Sequence, residues 1–257
     1  MAARIAVLDI ERSAGVAEGI WQLKQTGWLS PNQILEPPKT ICFAWKWLGE
    51  DEVRFSAEWE RGGHKAMVKK AHAVLNEADY VIGWNSKNFD CRHLRSEFIL
   101  HGMHPPAPHK DIDLMLTAKR NFGFLSNRMS YIAGQLDCGS KLDTGGGDLW
   151  RKMRHARGEE LREARALMQA YNEQDVILTE ELYMLMRPWC AGINLPLYTD
   201  TSSDELGPFC PACESPNVQF RGVARNTSYS YRRFQCNDCG KWGRTTESVG
   251  KTSQVPL

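Results

Sequence analysis

Short apolar runs separated by turn residues characterise the first part of the chain. Residues 4–10 form an apolar run that ends at acidic side chains, a pattern that predicts a buried strand. Segments 40–48 and 52–59 are rich in β-forming residues and are separated by a Gly-Glu-Asp turn. They predict a hairpin beside the first strand. Residues 12–38 contain six Gly and Pro breakers and predict irregular structure.

Helical periodicity dominates after the hairpin. The pattern predicts a strand at 80–84 and helices at about 64–76, 89–101, 113–121, 127–136, 147–156 and 159–186. The His/Pro-rich stretch 102–109 predicts a loop leading into 110–114. Strands followed mainly by helices favour an α/β fold, in which a mixed sheet is flanked by helices on its faces.

Composition changes towards the C-terminus. A linker rich in Pro, Thr, Ser and Asp, residues 194–207, separates a body (1–193) from a tail (208–257). The tail carries seven Lys/Arg against three acids, although the whole chain has a net charge of only +1. A basic tail indicates contact with a polyanion. No apolar stretch approaches the roughly 20 residues that span a bilayer, so we expect a cytoplasmic protein without a membrane partner.

Carboxylates occur at the end of the first predicted strand, at the start of a predicted helix and within the last long helix. Asp9 and Glu11 are two residues apart on the first strand, so their side chains share one face of the sheet. Asp90 follows the strand 80–84 at the start of a helix. Tyr171 and Asp175 are four residues apart and share one face of a helix.

Each of these acids, taken alone, has an ordinary structural explanation. Asp9 and Glu11 fit a solvated strand end, Asp90 fits a helix N-terminus that favours negative charge, and Asp175 fits a polar position flanking the core. Together, four acids at two strand ends and one helix can converge on a single pocket. Oxygen ligands of this kind suit Mg²⁺ or Mn²⁺, and two such ions can promote phosphodiester hydrolysis.

The order and spacing of these residues resemble a known family. Asp9-x-Glu11, Asn85-x₃-Phe89-Asp90 and Tyr171-x₃-Asp175 match the three motifs of the DEDD superfamily of 3′–5′ exonucleases. This superfamily includes ribonuclease D and the proofreading domains of family-B DNA polymerases. Position 170 is Ala, where one subclass has His, so the chain resembles the tyrosine (DEDDy) subclass. Segments 78–85, 110–113 and 141–146 resemble stand-alone, often phage-encoded relatives, and the resemblance covers roughly residues 3–190.

The resemblance implies a ribonuclease H-like fold and two active-site Mg²⁺ or Mn²⁺ ions. Asp9, Glu11 and Asp175 would hold the first ion. Asp9 would bridge to the second, which Asp90 would reach directly or through water. Tyr171 would orient the attacking water by a hydrogen bond.

The resemblance also implies how the substrate is held. Asn85 and Phe89 would line the groove for the 3′-terminal nucleotide, although Phe89 could instead belong to the core. Lys141 could touch the substrate backbone, or it could lie in a flexible connector with the glycine run that follows it. His101, His104 and His109 show no ligand periodicity.

The implied reaction is in-line attack of water on the terminal phosphodiester, releasing nucleoside 5′-monophosphates. We expect DNA as the substrate, with single-stranded or frayed 3′ ends, in phage replication or repair within the host cytoplasm. Two alternatives remain open. The chain could be an exoribonuclease of the ribonuclease D type, or a nucleic-acid-binding protein whose nuclease domain is inactive.

Two Cys-x-x-Cys pairs mark the tail. Cys210, Cys213, Cys236 and Cys239 have the spacing of a structural zinc site. A module of about 50 residues is too small for a sufficient core, so zinc would supply its folding energy. We therefore expect a zinc ribbon with hairpin arms at 221–234 and 240–244. The other cysteines are scattered singly and are expected to be free thiols: Cys42, Cys91, Cys138 and Cys190.

Cations and aromatic residues alternate in the ribbon. The residues concerned are Arg225, Tyr229, Tyr231, Arg232, Arg233, Phe234 and Trp242. This composition is typical of proteins that bind single strands. It is equally consistent with aromatics that stabilise a small core and arginines that solvate it. A third alternative is docking to a replication protein.

Overall fold

The computed structural model describes residues 2–19, 29–199 and 207–255. In chain order the strands and helices are β1 (Ile5–Arg12), β2 (Val16–Ala17), β3 (Ile34–Glu36), β4 (Thr40–Trp47), β5 (Arg54–Ala57), α1 (Gly63–Glu77), β6 (Tyr80–Gly83), α2 (Asp90–Leu100), β7 (Lys110–Asp113), α3 (Leu114–Asn121), α4 (Met129–Gln135), α5 (Asp148–His155), α6 (Gly158–Met186), β8 (Val218–Arg225), β9 (Tyr229–Cys236) and β10 (Trp242–Lys251).

A five-stranded mixed sheet forms the centre of the body, with the order β5-β4-β1-β6-β7. The strands β5, β4 and β1 are antiparallel neighbours, as the predicted hairpin requires. β6 runs parallel to β1, and β7 runs parallel to β6. The fold is therefore the expected α/β arrangement of a mixed sheet flanked by helices.

The two faces of the central sheet are covered by different helices. On β1, Ile5 and Val7 pack with Val176, Leu178 and other apolar residues of α6. The alternate residues of β1 contact the opposite cluster, which contains the apolar faces of α1 and α2. Because side chains alternate along a strand, the odd-numbered acids of β1 lie on the α6 side.

Three local predictions differ from the structure. The strand β7 was not among the predicted strands. Its sequence is short and mostly charged, and it becomes a strand because it pairs in parallel with β6. Residues 12–38 were expected to be irregular, yet β2 and β3 pair within them; part of that segment lies outside the described residues. The ribbon has a three-stranded sheet of order β10-β9-β8, whose strands extend well beyond the expected hairpin arms.

The expected linker contains one turn of 3₁₀ helix, Leu195–Tyr198, and its residues 200–206 lie outside the described part of the chain. Among the described residues, no helix is both long and apolar enough to cross a membrane.

Candidate active site

The two acids of β1 lie at the end of that strand, where the ladder with β4 is interrupted. Asp9 pairs with Ala44 and Glu11 with Cys42, and the register shifts between Glu11 and Arg12. Such a bulge bends a strand and redirects its side chains. Both carboxylates therefore project from the sheet beside α6.

Helix α6 brings the third acid to the same place. Asp175 is buried, and its apolar neighbours Val176 and Leu178 anchor the helix against the sheet. One carboxylate oxygen from each of Asp9, Glu11 and Asp175 lies within 4.8 Å of the other two. Tyr171, one helical turn before Asp175, lines the same cavity of about 440 Å³.

Asp90 approaches the cluster from α2. It is the first residue of that helix, and its Oδ1 accepts a hydrogen bond from the backbone N–H of Ile10 at 3.0 Å. This contact fixes the Asp90 carboxylate against β1, at the backbone position between Asp9 and Glu11. Burial raises the pKa of Asp90 to about 7, although the hydrogen bonds from backbone N–H groups oppose the rise.

Burial and mutual repulsion make this group of acids hard to ionise together. Burial, followed by the charges of Asp90 and Glu11, raises the pKa of Asp9 well above its usual range. Burial and the charge of Asp175 raise the pKa of Glu11 to about 8. Like charges held this close favour a compensating cation.

Lys141 supplies one such positive charge. Its Nζ donates hydrogen bonds to Asp175 Oδ2 and, at 3.2 Å, to the Tyr171 hydroxyl. Burial opposes the charged form of Lys141, but its ion pair with Asp175 outweighs burial and raises its pKa. Lys141 is thus held at the candidate site by two side chains of α6, although it lies in a segment without regular secondary structure.

The loop between β6 and α2 forms another wall of the cavity. Asn85 has a left-handed backbone (φ 65°), a conformation that Asn tolerates better than most residues. Its N–H donates to Asp113 Oδ1 at 3.2 Å, so the buried Asp113 holds the loop in place. Phe89 is 39% exposed and lines the cavity, so it does not belong to the core.

Asn172 is a further residue at this site, which the sequence motifs did not single out. Its Nδ2 donates to Asp9 Oδ2 at 2.7 Å and to the Asp9 backbone oxygen at 3.2 Å. The side chain is fully buried between α6 and β1. Its position directly after Tyr171 was the available signal, because a buried polar residue beside a candidate catalytic residue must have a polar partner.

The donor set fits Mg²⁺ or Mn²⁺. It consists of carboxylate oxygens, which hard cations prefer, and three of them lie close enough to share one ion. Asp175 Oδ1 is buried without a hydrogen-bond partner among the described residues, as expected of an atom that ligates a cation.

The four tail cysteines also converge. Cys210 Sγ lies 3.4 Å from Cys239 Sγ, and Cys213 Sγ lies 3.7 Å from Cys236 Sγ. All four sulfur atoms lie within 4.8 Å of one another. Four thiolates at such separations fit a tetrahedral zinc ion.

Comparison with known proteins identifies the family of the body. A model of the RNase H superfamily matches residues 36–187, more than half of the chain, and the chain belongs to that superfamily. Its body is therefore an RNase H-like domain. The matched segment contains Asp90, Tyr171 and Asp175, whereas the two acids of β1 precede it.

No curated protein matches the chain. Among solved structures, the chain is similar to the family B DNA polymerase from the hyperthermophilic archaeon Pyrobaculum calidifontis, with 16% identity and a TM-score of 0.49. The match covers 72% of this chain but 25% of the polymerase, so the chain spans about a quarter of that protein's length.

Proposed function

We propose that this protein is a metal-dependent 3′–5′ exonuclease of the tyrosine (DEDDy) subclass. The observation that carries the proposal is the convergence of Asp9, Glu11 and Asp175, with Asp90 and Tyr171 lining the same cavity. Membership of the RNase H superfamily supports a nuclease. The motif spacing resembles that of 3′–5′ exonucleases and supports hydrolysis from the 3′ end of the strand.

The acids of the site would hold Mg²⁺ or Mn²⁺. Asp9, Glu11 and Asp175 are the three acids whose oxygens lie closest together. Asp90 approaches them from the start of α2. When bound, two such ions supply the positive charge that activates water and stabilises the leaving oxygen of a phosphodiester.

The side chains around the acids would position the reactants. The Tyr171 hydroxyl is one helical turn from Asp175 and can orient the attacking water by a hydrogen bond. Asn85 and Phe89 line the cavity and would receive the 3′-terminal nucleotide. The exposed ring of Phe89 offers a flat apolar surface to a base.

Lys141 would contact the scissile phosphate or its neighbour. Its ammonium group lies beside both Tyr171 and Asp175 and is partly exposed to the cavity. A cation at this point can stabilise negative charge that develops on phosphate oxygens.

We favour single-stranded or frayed 3′ ends of DNA as the substrate, with nucleoside 5′-monophosphates as products, in replication or repair by a phage. The resemblance of segments 78–85 and 141–146 to stand-alone, phage-type relatives of polymerase exonuclease domains supports this choice. In the tail, Cys210, Cys213, Cys236 and Cys239 would hold one structural Zn²⁺, which their sulfur separations support.

A hydrolysis assay tests the proposal. The full chain, with zinc present, is incubated with Mg²⁺ or Mn²⁺ and with single-stranded DNA, duplex DNA or RNA of one sequence, labelled at either end. We expect stepwise shortening from the 3′ end of single-stranded DNA. Asp9→Asn and Asp175→Asn should abolish it, while Asp148→Asn, a change of the same kind at a partly exposed position of α5, should not.

The outcomes separate the alternatives. Faster degradation of RNA than of DNA would identify an exoribonuclease of the ribonuclease D type. Nucleic-acid binding without hydrolysis under any of these conditions would identify a binding protein with an inactive nuclease domain. Undiminished hydrolysis by either active-site variant would contradict the assignment of the site.

A further inference from the structure

The two faces of the ribbon sheet have different compositions. Arg233 pairs with Arg244, and Tyr229 pairs with Lys251, so each pair shares a face. Because residues two apart on a strand share a face, Tyr231 and Trp242 belong to the same side. We call this surface the aromatic–cation face; it consists of Tyr229, Tyr231, Arg233, Trp242, Arg244 and Lys251.

On the aromatic–cation face, each ring has a cation beside it. The Arg244 guanidinium lies 3.8 Å from the centre of the Tyr231 ring. Arg233 lies 4.7 Å from the Trp242 ring, and Lys251 lies 5.8 Å from that of Tyr229. Trp242 is 45% exposed and Tyr229 37% exposed, so these two rings are accessible to a ligand.

The small apolar core of the ribbon lies on the opposite face of the sheet. Phe234 is buried there, packs edge-on against Phe220, and covers Gly243, where a Cβ atom would collide with its ring. Arg232 stacks over Phe220 on that same side. The small core therefore uses a different set of aromatics, and folding of the ribbon does not explain the exposed Trp242.

The cations of the aromatic–cation face are not neutralised by acids. Within residues 207–255, Arg233, Arg244 and Lys251 form no ion pair. Asp238 bonds to Ser215 and Asn217 beside the cysteines. Glu214 also lies beside the cysteines, and Glu247 lies in the irregular stretch between Arg244 and Ser248. The surface is therefore complementary to a polyanion.

The ribbon is attached close to the end of α6. Lys241 Nζ donates to the backbone oxygen of Cys190, and Leu195 N–H donates to the Pro211 oxygen at 2.9 Å. The rise along α6 from Asp175 to its last residue, Met186, is about 16 Å. A nucleic acid long enough to cross this distance could contact both the carboxylates and the ribbon.

We propose that the aromatic–cation face binds single-stranded DNA upstream of the 3′ end that enters the carboxylate site. Bases would stack on the exposed rings, and the cations would contact phosphates, which is how proteins hold single strands without reading their sequence. A duplex hides its base faces and cannot stack in this way. The choice of DNA rests on the proposed function.

Binding is measured separately from hydrolysis. The background is the zinc-loaded full chain carrying Asp175→Asn, and the probe is a fluorescent 30-nucleotide oligo-dT in an anisotropy titration. Adding Trp242→Ala should weaken binding about fivefold or more, because one base loses its stacking surface. Adding Arg244→Ala should also lower the slope of log affinity against log salt by about 0.7, the value for one phosphate contact on a single strand.

Arg232→Ala is the matched control. Arg232 and Arg244 each stack on an aromatic ring of the ribbon, but on opposite faces. The control should leave affinity and salt slope unchanged. Zinc content of about one per chain and an unchanged melting temperature would show that each variant is folded.

Three results would overturn the proposal. Unchanged DNA affinity in both folded face variants would leave a protein partner as the occupant of the surface. Equal or tighter binding of a duplex would contradict base stacking, and equal or better competition by oligo-U would contradict the choice of DNA.

A hydrolysis arm distinguishes failure of this proposal from failure of the proposed function. With Asp175 restored, Trp242→Ala should slow degradation of the 30-nucleotide DNA but not of a dinucleotide, which is too short to reach the ribbon from the carboxylates. Equal slowing of both would contradict the proposed path. If the wild-type chain hydrolyses neither, the proposed function fails while the binding result still decides whether the face holds single strands.

Discussion

Lys141 joins two side chains of the same helical face, because its ammonium donates hydrogen bonds to both Asp175 and the Tyr171 hydroxyl. The Lys141 ammonium and a divalent cation both bring positive charge, and either one reduces the repulsion between the carboxylates. The contact of Lys141 with Asp175 should therefore matter most for stability when Mg²⁺ is absent.

Lys141→Met tests this relationship. Without Mg²⁺ the variant should lose about 1–3 kcal/mol of stability, because the buried Asp175 carboxylate loses its charged partner. The loss should lie in the lower part of this range, because the Lys141 side chain is 26% exposed and solvent screens the ion pair. Added Mg²⁺ should reduce the loss. Thermal melts of the zinc-loaded chain, with and without Mg²⁺, measure both effects.

Lys152→Met is the control for that experiment. Lys152 pairs with Asp148 at the surface of α5, so its loss should leave stability nearly unchanged with or without Mg²⁺. An equal loss in the two variants, or a loss at Lys141 that Mg²⁺ leaves unchanged, would contradict the compensation argument.

The raised pKa values of the acids predict how stability depends on pH. Burial raises the pKa of Asp90 to about 7 and, together with the charge of Asp175, that of Glu11 to about 8. Between the usual carboxyl pKa near 4 and these values, the folded chain binds more protons than the unfolded chain. Stability from these groups is therefore complete below about pH 4 and is lost as pH rises through 7 to 8.

Melting temperatures from pH 5 to 8.5 test this dependence. Without Mg²⁺, Asp90→Asn should flatten the fall in melting temperature, because it removes one of the titrations that cause it. With Mg²⁺, the fall should also be smaller, since the ion binds the ionised acids more tightly as pH rises. The raised pKa values would be contradicted if the melting temperature of the wild-type chain rose from pH 5 to 8.5 and the Asp90→Asn variant showed the same dependence on pH.

Much of the candidate site could be predicted from short-range sequence geometry. Asp9 and Glu11 share a face because strand side chains alternate, and Tyr171 lies over Asp175 because helical residues four apart are neighbours. The hydrophobic stripe of α6 indicates which side of that helix faces the sheet. These rules depend on positions a few residues apart.

Features that depend on distant contacts were not predictable in the same way. Lys141 lies 34 residues before Asp175, in a segment without periodicity, so nothing local indicates that their side chains meet. β7 becomes a strand through parallel pairing with β6, although the sequence Lys110–Asp113 is mostly charged. In both cases tertiary context outweighs local preference.

Asn172 should be a positioning residue for Asp9. Its amide donates to Asp9 Oδ2 at 2.7 Å, so Asn172→Ala would free that carboxylate to rotate and leave it without its donor. We expect kcat to fall about tenfold or more, because small misplacement of catalytic groups is costly, with a loss of about 1–3 kcal/mol in stability.

Separate measurement of kcat, KM and Mg²⁺ dependence distinguishes positioning from a general structural defect. Asn172→Ala should raise the Mg²⁺ concentration needed for half-maximal rate, whereas a purely structural role would not. Gln169→Ala removes an exposed amide on the same helix whose one side-chain hydrogen bond among the described residues is to Glu173, and it should change neither quantity. Unaltered Mg²⁺ dependence in the folded Asn172 variant would contradict the positioning role.

The ribbon should depend on its zinc ion for folding. Cys213→Ser should abolish zinc binding measured by elemental analysis, because three thiolates hold structural zinc much less tightly than four. Without the metal, the ribbon is too small to remain folded, so residues 207–255 should become sensitive to protease while the body stays resistant. Cys138→Ser changes a thiol of the body and should keep about one zinc per chain. A folded, zinc-free ribbon in the Cys213 variant would show that its own packing, around Phe220 and Phe234, is sufficient for its stability.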